Sequence, residues 1–313
     1  MKGLELAKSY FETCALPVLV SSFQDLLPYL AAGLAGSGSE CFGFDDPVSR
    51  DHDFEPGFCL FLPGEDTVSR RDAFLLERAM DKLPREFMGF KRSLMQPVGG
   101  SRHGVMRTQA WFLDKTGSED GNLTPMQWLH LPDYALAEAV NGEIFLDNLG
   151  EVTEIRSRLS HYPEDIRRKK LAGHLLLMAQ SGQYNYSRCL KHGETGAAQL
   201  AVNTFAGSCM QSVFLLNRVY QPFYKWSFRA MRGLPRLSLL AECLEYLITT
   251  GNDPDTAREK QELMESMAGD IILELKEQQL TGATCQDLEK HAYSVQDGIR
   301  DSEIRNMHIL AGV

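Results

Sequence analysis

GSGSECFGFDDPVSRDHDFEPGFCLFL, residues 36–62, is the stretch whose reading decides the fold. It opens on Gly36-Ser37 and Gly38-Ser39 and reaches Asp51-His52-Asp53 before the apolar Phe58-Cys59-Leu60-Phe61-Leu62. Side chains alternate along an extended strand, so Asp51 and Asp53 are expected on one face and His52 on the other. Two carboxylates so placed repel each other unless water or a divalent cation lies between them. Hard cations such as Mg²⁺ take oxygen ligands of this kind and often keep substrate phosphate in their shell. The upstream Gly38-Ser39 offers a permissive backbone, N–H groups and a hydroxyl, which suit a phosphate oxygen. The combination describes a site for a metal–nucleotide complex; the plain alternative is a solvated strand end.

Outward from this stretch, composition limits the function. The chain has 313 residues, 43% hydrophobic and 24% charged, enough for a packed core in one large domain or two ordinary ones. A net charge of −10 argues against non-specific nucleic-acid binding, which needs a basic surface. The seven cysteines include no CxxC pair, so neither a disulfide framework nor a zinc ribbon is expected. Charges interrupt the N-terminal MKGLELAKSYFETC, and no apolar run approaches the ~20 residues of a membrane span. The expectation is a reducing, cytoplasmic compartment with no membrane partner; composition leaves the oligomeric state open.

Periodicity divides the chain. Residues 3–15 read as an amphipathic helix that Pro17 ends or kinks, with a second helical piece over 18–27. Residues 29–35 suit a buried strand leading to Gly36, and 51–62 should pair beside it until Pro63-Gly64. Residues 70–83 read as helix, 105–113 as strand, 126–140 as helix and 142–147 as a last short strand. Beyond about 150, helical patterns take over at 163–181, 195–219, 236–249, 255–280 and 284–299. The expected fold class is α+β: an N-terminal mixed sheet with helices over 1–150, then an all-helical domain over 151–313.

Gly38-Ser39, a spacer over 40–50 and Asp51-x-Asp53 resemble the signature of the DNA polymerase beta-like nucleotidyltransferase superfamily. The longer run GSECFGFDDPVSRDHDFEP is similar to a narrower, functionally undefined bacterial and fungal family of that superfamily with a GSE–GFD–DHDW motif. Phe54 and Glu55 stand where that family shows Trp and Gly. Later runs resemble it too: EIFLDNLGEVTEIRSRLSHYPEDI, SRCLKHGETGA and FLLNRVYQPFYKW. The two-domain layout is similar to that of the antibiotic nucleotidyltransferases, kanamycin nucleotidyltransferase among them, whose helical domain closes over the acceptor.

The resemblance implies metal-dependent transfer of an NMP from an NTP, with ATP as the expected donor, to a hydroxyl on a small molecule, a protein or an RNA end. Asp51 and Asp53 would be catalytic and hold Mg²⁺ or Mn²⁺, with Gly38 and Ser39 on the nucleotide. Asp147, ending a predicted strand, is a candidate third metal ligand beside Asp53 or else a turn former. Glu194 is a candidate general base, as in kanamycin nucleotidyltransferase, or else a solvated acid at a helix start. Arg188 is a candidate for bidentate triphosphate binding, or a structural partner for a nearby carboxylate. Lys225, beside Trp226 and near Tyr220, Phe223 and Tyr224, could hold phosphate where a base stacks, or the cluster could be core. Two other readings stand beside the enzyme: a degenerate nucleotide-binding or antitoxin-like interaction module, and a sugar-nucleotide glycosyltransferase using DxD.

Overall fold

The computed structural model describes residues 1–48, 54–92 and 102–313. The N-terminal helix begins as α1 (Gly3–Tyr10), widens through a π-helical turn at Phe11–Ala15 and continues as α2 (Leu16–Ser22). Pro17 therefore does not end the helix. A proline in a helix interior leaves the carbonyl four residues back without its donor and crowds it. The wide turn absorbs this, with the Leu16 N–H reaching back to the Phe11 carbonyl.

The chain then enters the sheet as β1 (Ala31–Leu34), followed by β2 (Cys59–Leu62), α3 (Arg70–Asp81) and the small hairpin β3 (Glu86–Phe87) and β4 (Phe90–Lys91). Next come β5 (Gly104–Arg107), α4 (Thr108–Thr116), α5 (Pro125–His130), α6 (Asp133–Val140), β6 (Glu143–Asp147) and α7 (Glu151–Leu159). The main sheet has the order β5-β2-β1-β6, so the two strands expected to pair do so, at its centre. It is mixed: β1 pairs antiparallel with β2 and β6, and β2 pairs parallel with β5. Every residue of β1 and β2 is buried. Ala32, Leu60 and Leu62 pack with Tyr10, Phe11 and Leu76 from the flanking helices. Phe61 points the other way, edge-on to Trp111 of α4 at 5.5 Å.

Three expected elements are corrected. The described part of 51–62 is strand only from Cys59, because Pro56 cannot donate to a ladder and Pro56-Gly57 holds the chain out of it. Asp51 and Asp53 lie outside the described residues. The 105–113 strand stops at Arg107, whose Nη1 donates to the Pro63 and Val68 carbonyls at 2.6 and 2.8 Å. Thr108 Oγ1 donates to the Leu62 carbonyl at 3.1 Å, and α4 starts there with Thr108, Phe112 and Thr116 buried at four-residue spacing. The 126–140 helix breaks at Leu131-Pro132, since a residue before proline prefers extended backbone; Leu131 has φ −70° and ψ 128°.

From α7 onward the chain contains no strand and continues as α8 (Glu164–Met178), α9 (Tyr186–Lys191), α10 (Thr195–Leu216), α11 (Tyr224–Arg232), α12 (Leu240–Thr249), α13 (Pro254–Glu277), α14 (Leu288–Asp297) and α15 (Ser302–Asn306). The fold is α+β with a helical C-terminal region. A π-helical turn, Ala179–Asn185, joins α8 to α9. No helix among the described residues is long and apolar enough to cross a membrane. By contact the chain forms two units, Met1–Leu123 with Pro132–Ser160, and Thr124–Leu131 with His161–Val313. A boundary at residue 150 would cut α7 from the first unit, where Gly121 packs so closely on Ile155 that a Cβ would lie 3.1 Å from its side chain. The 124–131 segment belongs with the second unit, where the Trp128 ring meets Tyr162 at 5.7 Å.

At the head of α8, Glu164 accepts from Arg167 at 2.8 Å, Arg168 at 3.0 Å and Arg218 at 3.1 Å. Burial alone would raise its carboxyl, but the Arg167 hydrogen bond and the three guanidinium charges outweigh burial and hold it below the usual carboxylate range. A carboxyl depressed in the folded state contributes stability above its unfolded pKa of about 4.3 and loses it as pH falls through the folded value. Glu164→Gln should therefore lower the urea midpoint of the helical unit at pH 7, and the gap to wild type should shrink below about pH 4. An unchanged gap in that acid range would show that the charge of Glu164 is not what stabilises the unit.

Candidate functional site

The candidate site is the loop that leaves β1. Gly36 and Gly38 have φ of +108° and +137°, backbone that a side chain would strain. Asn141 clamps the first of them: its Oδ1 accepts from the Gly36 N–H and its Nδ2 donates to the Gly36 carbonyl, both at 2.8 Å. Asn141 is itself supported from α7, where Arg156 Nη2 donates to the carbonyls of Val140 and Asn141 at 2.7 Å each. Burial pushes the Arg156 guanidinium pKa down from its ordinary value, and this pair of carbonyls gives it hydrogen-bond partners inside the unit.

Gly38 lies under an ion pair. Arg102 Nη1 donates to the Ser37 carbonyl at 3.1 Å and to Glu40 Oε1 at 3.2 Å. A Cβ on Gly38 would stand 2.5 Å from Glu40 Oε1 and 2.6 Å from Arg102 Nη1. Ser39 precedes a short 3₁₀ turn, Glu40–Phe42, does not spend its hydroxyl on capping it, and stays partly exposed. The next acid, Asp45, is buried and accepts from the Gly3 N–H at 3.0 Å at the start of α1, with Lys2 Nζ 3.4 Å away. Both carboxylates of the GSE–GFD run thus fasten the loop to its surroundings.

Beyond the loop, Gly3 meets both Glu40 and Phe54: a Cβ there would stand 2.5 Å from Glu40 Cβ and 3.3 Å from Phe54 Cε2. Phe54, the residue after Asp53 in the sequence, thus lies beside Gly3, as Glu40 does. His103 Nδ1 lies 3.4 Å from Glu55 Oε1. Below His103, a cavity of about 20 Å³, bounded by Tyr10, Phe58, Met80 and Arg92, has room for one water. Burial pushes the Cys59 thiol up to about 12 and raises that of Cys41, so neither is a nucleophile at neutral pH.

Of the residues expected at the site, Gly38 and Ser39 are in this loop. Asp51 and Asp53 lie outside the described residues, and among those described no group of three or more His, Cys, Asp or Glu is arranged to hold a metal. Asp147 is paired across from Ala31, at the end of β1 away from the loop, ~10 Å along the strand. β1 also separates β6 from β2. The Asp147 carboxylate accepts from the Thr153 N–H at 2.7 Å, serving the first turn of α7. Glu194, Arg188 and Lys225 belong to the helical unit. Glu194 is exposed ahead of α10, Arg188 lies 4.9 Å from the Tyr184 ring centroid, and Lys225 Nζ lies 4.3 Å from that of Trp226. The aromatic cluster divides: Tyr220 is buried against Tyr162 at 4.9 Å, while Phe223 and Tyr224 face solvent.

Sequence reasoning missed Arg102, Asn141 and Arg156. Asn141-Gly142 is a turn signal after a helical pattern, which was legible, but nothing local announces that its amide reaches a glycine 105 positions away. Gly38→Ala should force the Arg102–Glu40 pair apart, and Asn141→Ala should leave the Gly36 peptide without its two partners. Each should cost about 1–3 kcal/mol, read by chemical denaturation; if both variants unfold like wild type, the loop is not held this way.

Residues 128–227 match a family described as a domain of unknown function (DUF4037). The matched part is similar to that family and contains Asp147, Arg188, Glu194 and Lys225, but not the 36–62 stretch. No curated protein and no solved structure matches the chain.

Proposed function

We propose that this chain is a metal-dependent nucleotidyltransferase that moves an NMP from an NTP, with ATP as the donor, to a hydroxyl acceptor. The observation that carries the reading is the meeting of Glu40 and Phe54 at Gly3, which draws the residue after Asp53 to the loop of Gly38 and Ser39. A glycine-bearing loop with positive φ values, followed in the sequence by the Asp51-x-Asp53 carboxylates, supports handling a nucleoside triphosphate with its cation. Asp51 and Asp53 would hold Mg²⁺ or Mn²⁺, which in such sites neutralises charge on the transferred phosphate. The reaction is attack of the acceptor hydroxyl oxygen on the α-phosphorus. A new P–O bond forms, the bond to the β-phosphate oxygen breaks, and pyrophosphate leaves while a base takes the hydroxyl proton. Gly38 and Ser39 are proposed to hold phosphate oxygens through main-chain N–H groups and the Ser39 hydroxyl.

One observation favours a second reading, a nucleotide-binding module without turnover. Glu40 and Asp45, two described acids of the loop, are committed to Arg102 and to α1. Transfer of label from NTP to any acceptor in a cell extract would decide for the enzyme; tight binding with no transfer would decide for the module.

Asp51→Asn combined with Asp53→Asn should abolish Mg²⁺-dependent nucleotide binding and leave the melting temperature close to that of wild type. Unchanged Mg²⁺-dependent binding in the double variant would move the site elsewhere. If Glu194 takes the acceptor's proton, Glu194→Gln should lower the transfer rate by ~10²–10⁴ with nucleotide affinity unchanged. A rate within twofold of wild type would remove Glu194 from the chemistry.

A further inference from the structure

We infer that Trp111 is the residue on which the nucleotide's base stacks, the role that sequence reasoning gave to the neighbourhood of Lys225 and Trp226. The inference rests on the nucleotide reading above and deepens it, naming what would tell a nucleoside triphosphate from a bare triphosphate chain. Of the three tryptophans, Trp111 is the one in the unit that contains the 36–40 loop. Its helix, α4, starts beside Leu62, at the end of β2 away from that loop. One turn on, the Trp111 ring meets Phe61 edge-on and reaches the first residue of the loop. A Cβ on Gly36 would lie 3.7 Å from Trp111 Cζ2, an ordinary van der Waals contact. Gly36 stands two residues before Gly38, at most about 7 Å of chain. A nucleotide with its phosphates on the Gly38 and Ser39 main chain would therefore have the indole within reach of its base.

The indole is also held in orientation. It stands nearly perpendicular to Phe61, at 81°, and to Phe112, at 89° with ring centroids 4.8 Å apart, yet it stays partly exposed. An aromatic ring so fixed has little rotamer freedom left to lose when a ligand lies against it. Stacking on it would accept any base, because every base has a π-face. One turn beyond Trp111, Lys115 donates to Glu138 of α6 at 2.7 Å, and α6 ends at Asn141, the residue that clamps Gly36. The same helix face therefore ties the ring to the support of the loop. The other two tryptophans lie in the helical unit, where Lys225 Nζ is 4.3 Å from the Trp226 ring centroid and Trp128 is buried against Tyr162.

The test measures equilibrium binding of Mg·ATP and of Mg·tripolyphosphate to wild type, Trp111→Leu and Trp111→Phe, with a thermal melt of each variant without ligand. Trp111→Leu should weaken Mg·ATP by about 10- to 100-fold, the scale of a lost base–aromatic stack. Mg·tripolyphosphate, which has no base, should weaken by less than about twofold. Trp111→Phe keeps an aromatic face and should recover most of the ATP loss. ATP should also quench the tryptophan emission of wild type, and that quenching should be absent from Trp111→Phe. A purely structural Trp111 would instead weaken both ligands equally; that pattern, or ATP binding unchanged in Trp111→Leu, overturns the inference. Should Trp111→Leu fail to fold, the emission decides, because ATP quenching that persists in Trp111→Phe overturns it as well. Wild type that binds neither ligand removes the nucleotide reading itself, which is distinguishable from wild type that binds ATP while the Trp111 variants bind it equally well.

Discussion

One amide holds the loop end of the N-terminal unit together. The Asn141 side chain satisfies both polar groups of the Gly36 peptide, at a point where β1 has ended and no ladder partner exists for them. Peptide groups withdrawn from water must find partners, and losing one costs more than a typical hydrogen bond yields. Much else follows from keeping that amide in place. Arg156 must reach back from α7 to the carbonyls of Val140 and Asn141, so α7 is part of the unit that contains the sheet. With Gly36 fixed, Gly38 is brought against Arg102 and Glu40, and the loop is committed to one path.

The helical unit meets a different constraint, that of charge taken out of water. Arg167, Lys169, Lys170 and Lys260 are all buried. Each has been given acceptors: Lys169 Nζ donates to the Met307 carbonyl at 2.7 Å, Lys170 to that of Gly312 at 3.0 Å, and Lys260 to that of Thr250 at 2.8 Å. A carbonyl lacks a full counter-charge, and burial accordingly lowers the pKa of Lys169 and Lys260 from the usual lysine range. These ammonium groups tie segments without regular structure, near residues 250, 307 and 312, to α8 and α13.

What was legible in the sequence follows from the range of the interactions involved. The buried strands β1 and β2, the helix over 70–83 and the strand before Asn148 were readable because apolar runs and turn residues act locally. The 105–113 run was misread because Val105, Trp111 and Phe112 favour strand by composition, while the choice of helix after Arg107 comes from contacts to Pro63 and Val68 made forty residues earlier. The charged start of α8, EDIRRKK, has the composition of a solvated face, yet Arg167, Lys169 and Lys170 point inward because their acceptors come from distant segments. The candidate site divides in the same way. Gly38 and Ser39 could be found from the motif, whereas Arg102 and Asn141 become meaningful only once β5 and β6 are aligned beside β1 and β2.

The order in which the chain visits its two units bears on how it is made. It leaves the first unit at residue 124, returns at 132 and leaves again at 161. A ribosome extruding this chain from its N-terminus would release all four strands of the main sheet before α7, the helix whose arginine secures Asn141. Trp128 would emerge earlier still and wait some thirty residues for Tyr162, its aromatic partner in the second unit. Domains usually fold as units during synthesis; here the first cannot close until residue 160 has emerged, by which time part of the second is already outside. The short passage through 124–131 therefore places a piece of the second unit, Trp128 and Leu129 included, in the chain before the first unit is complete.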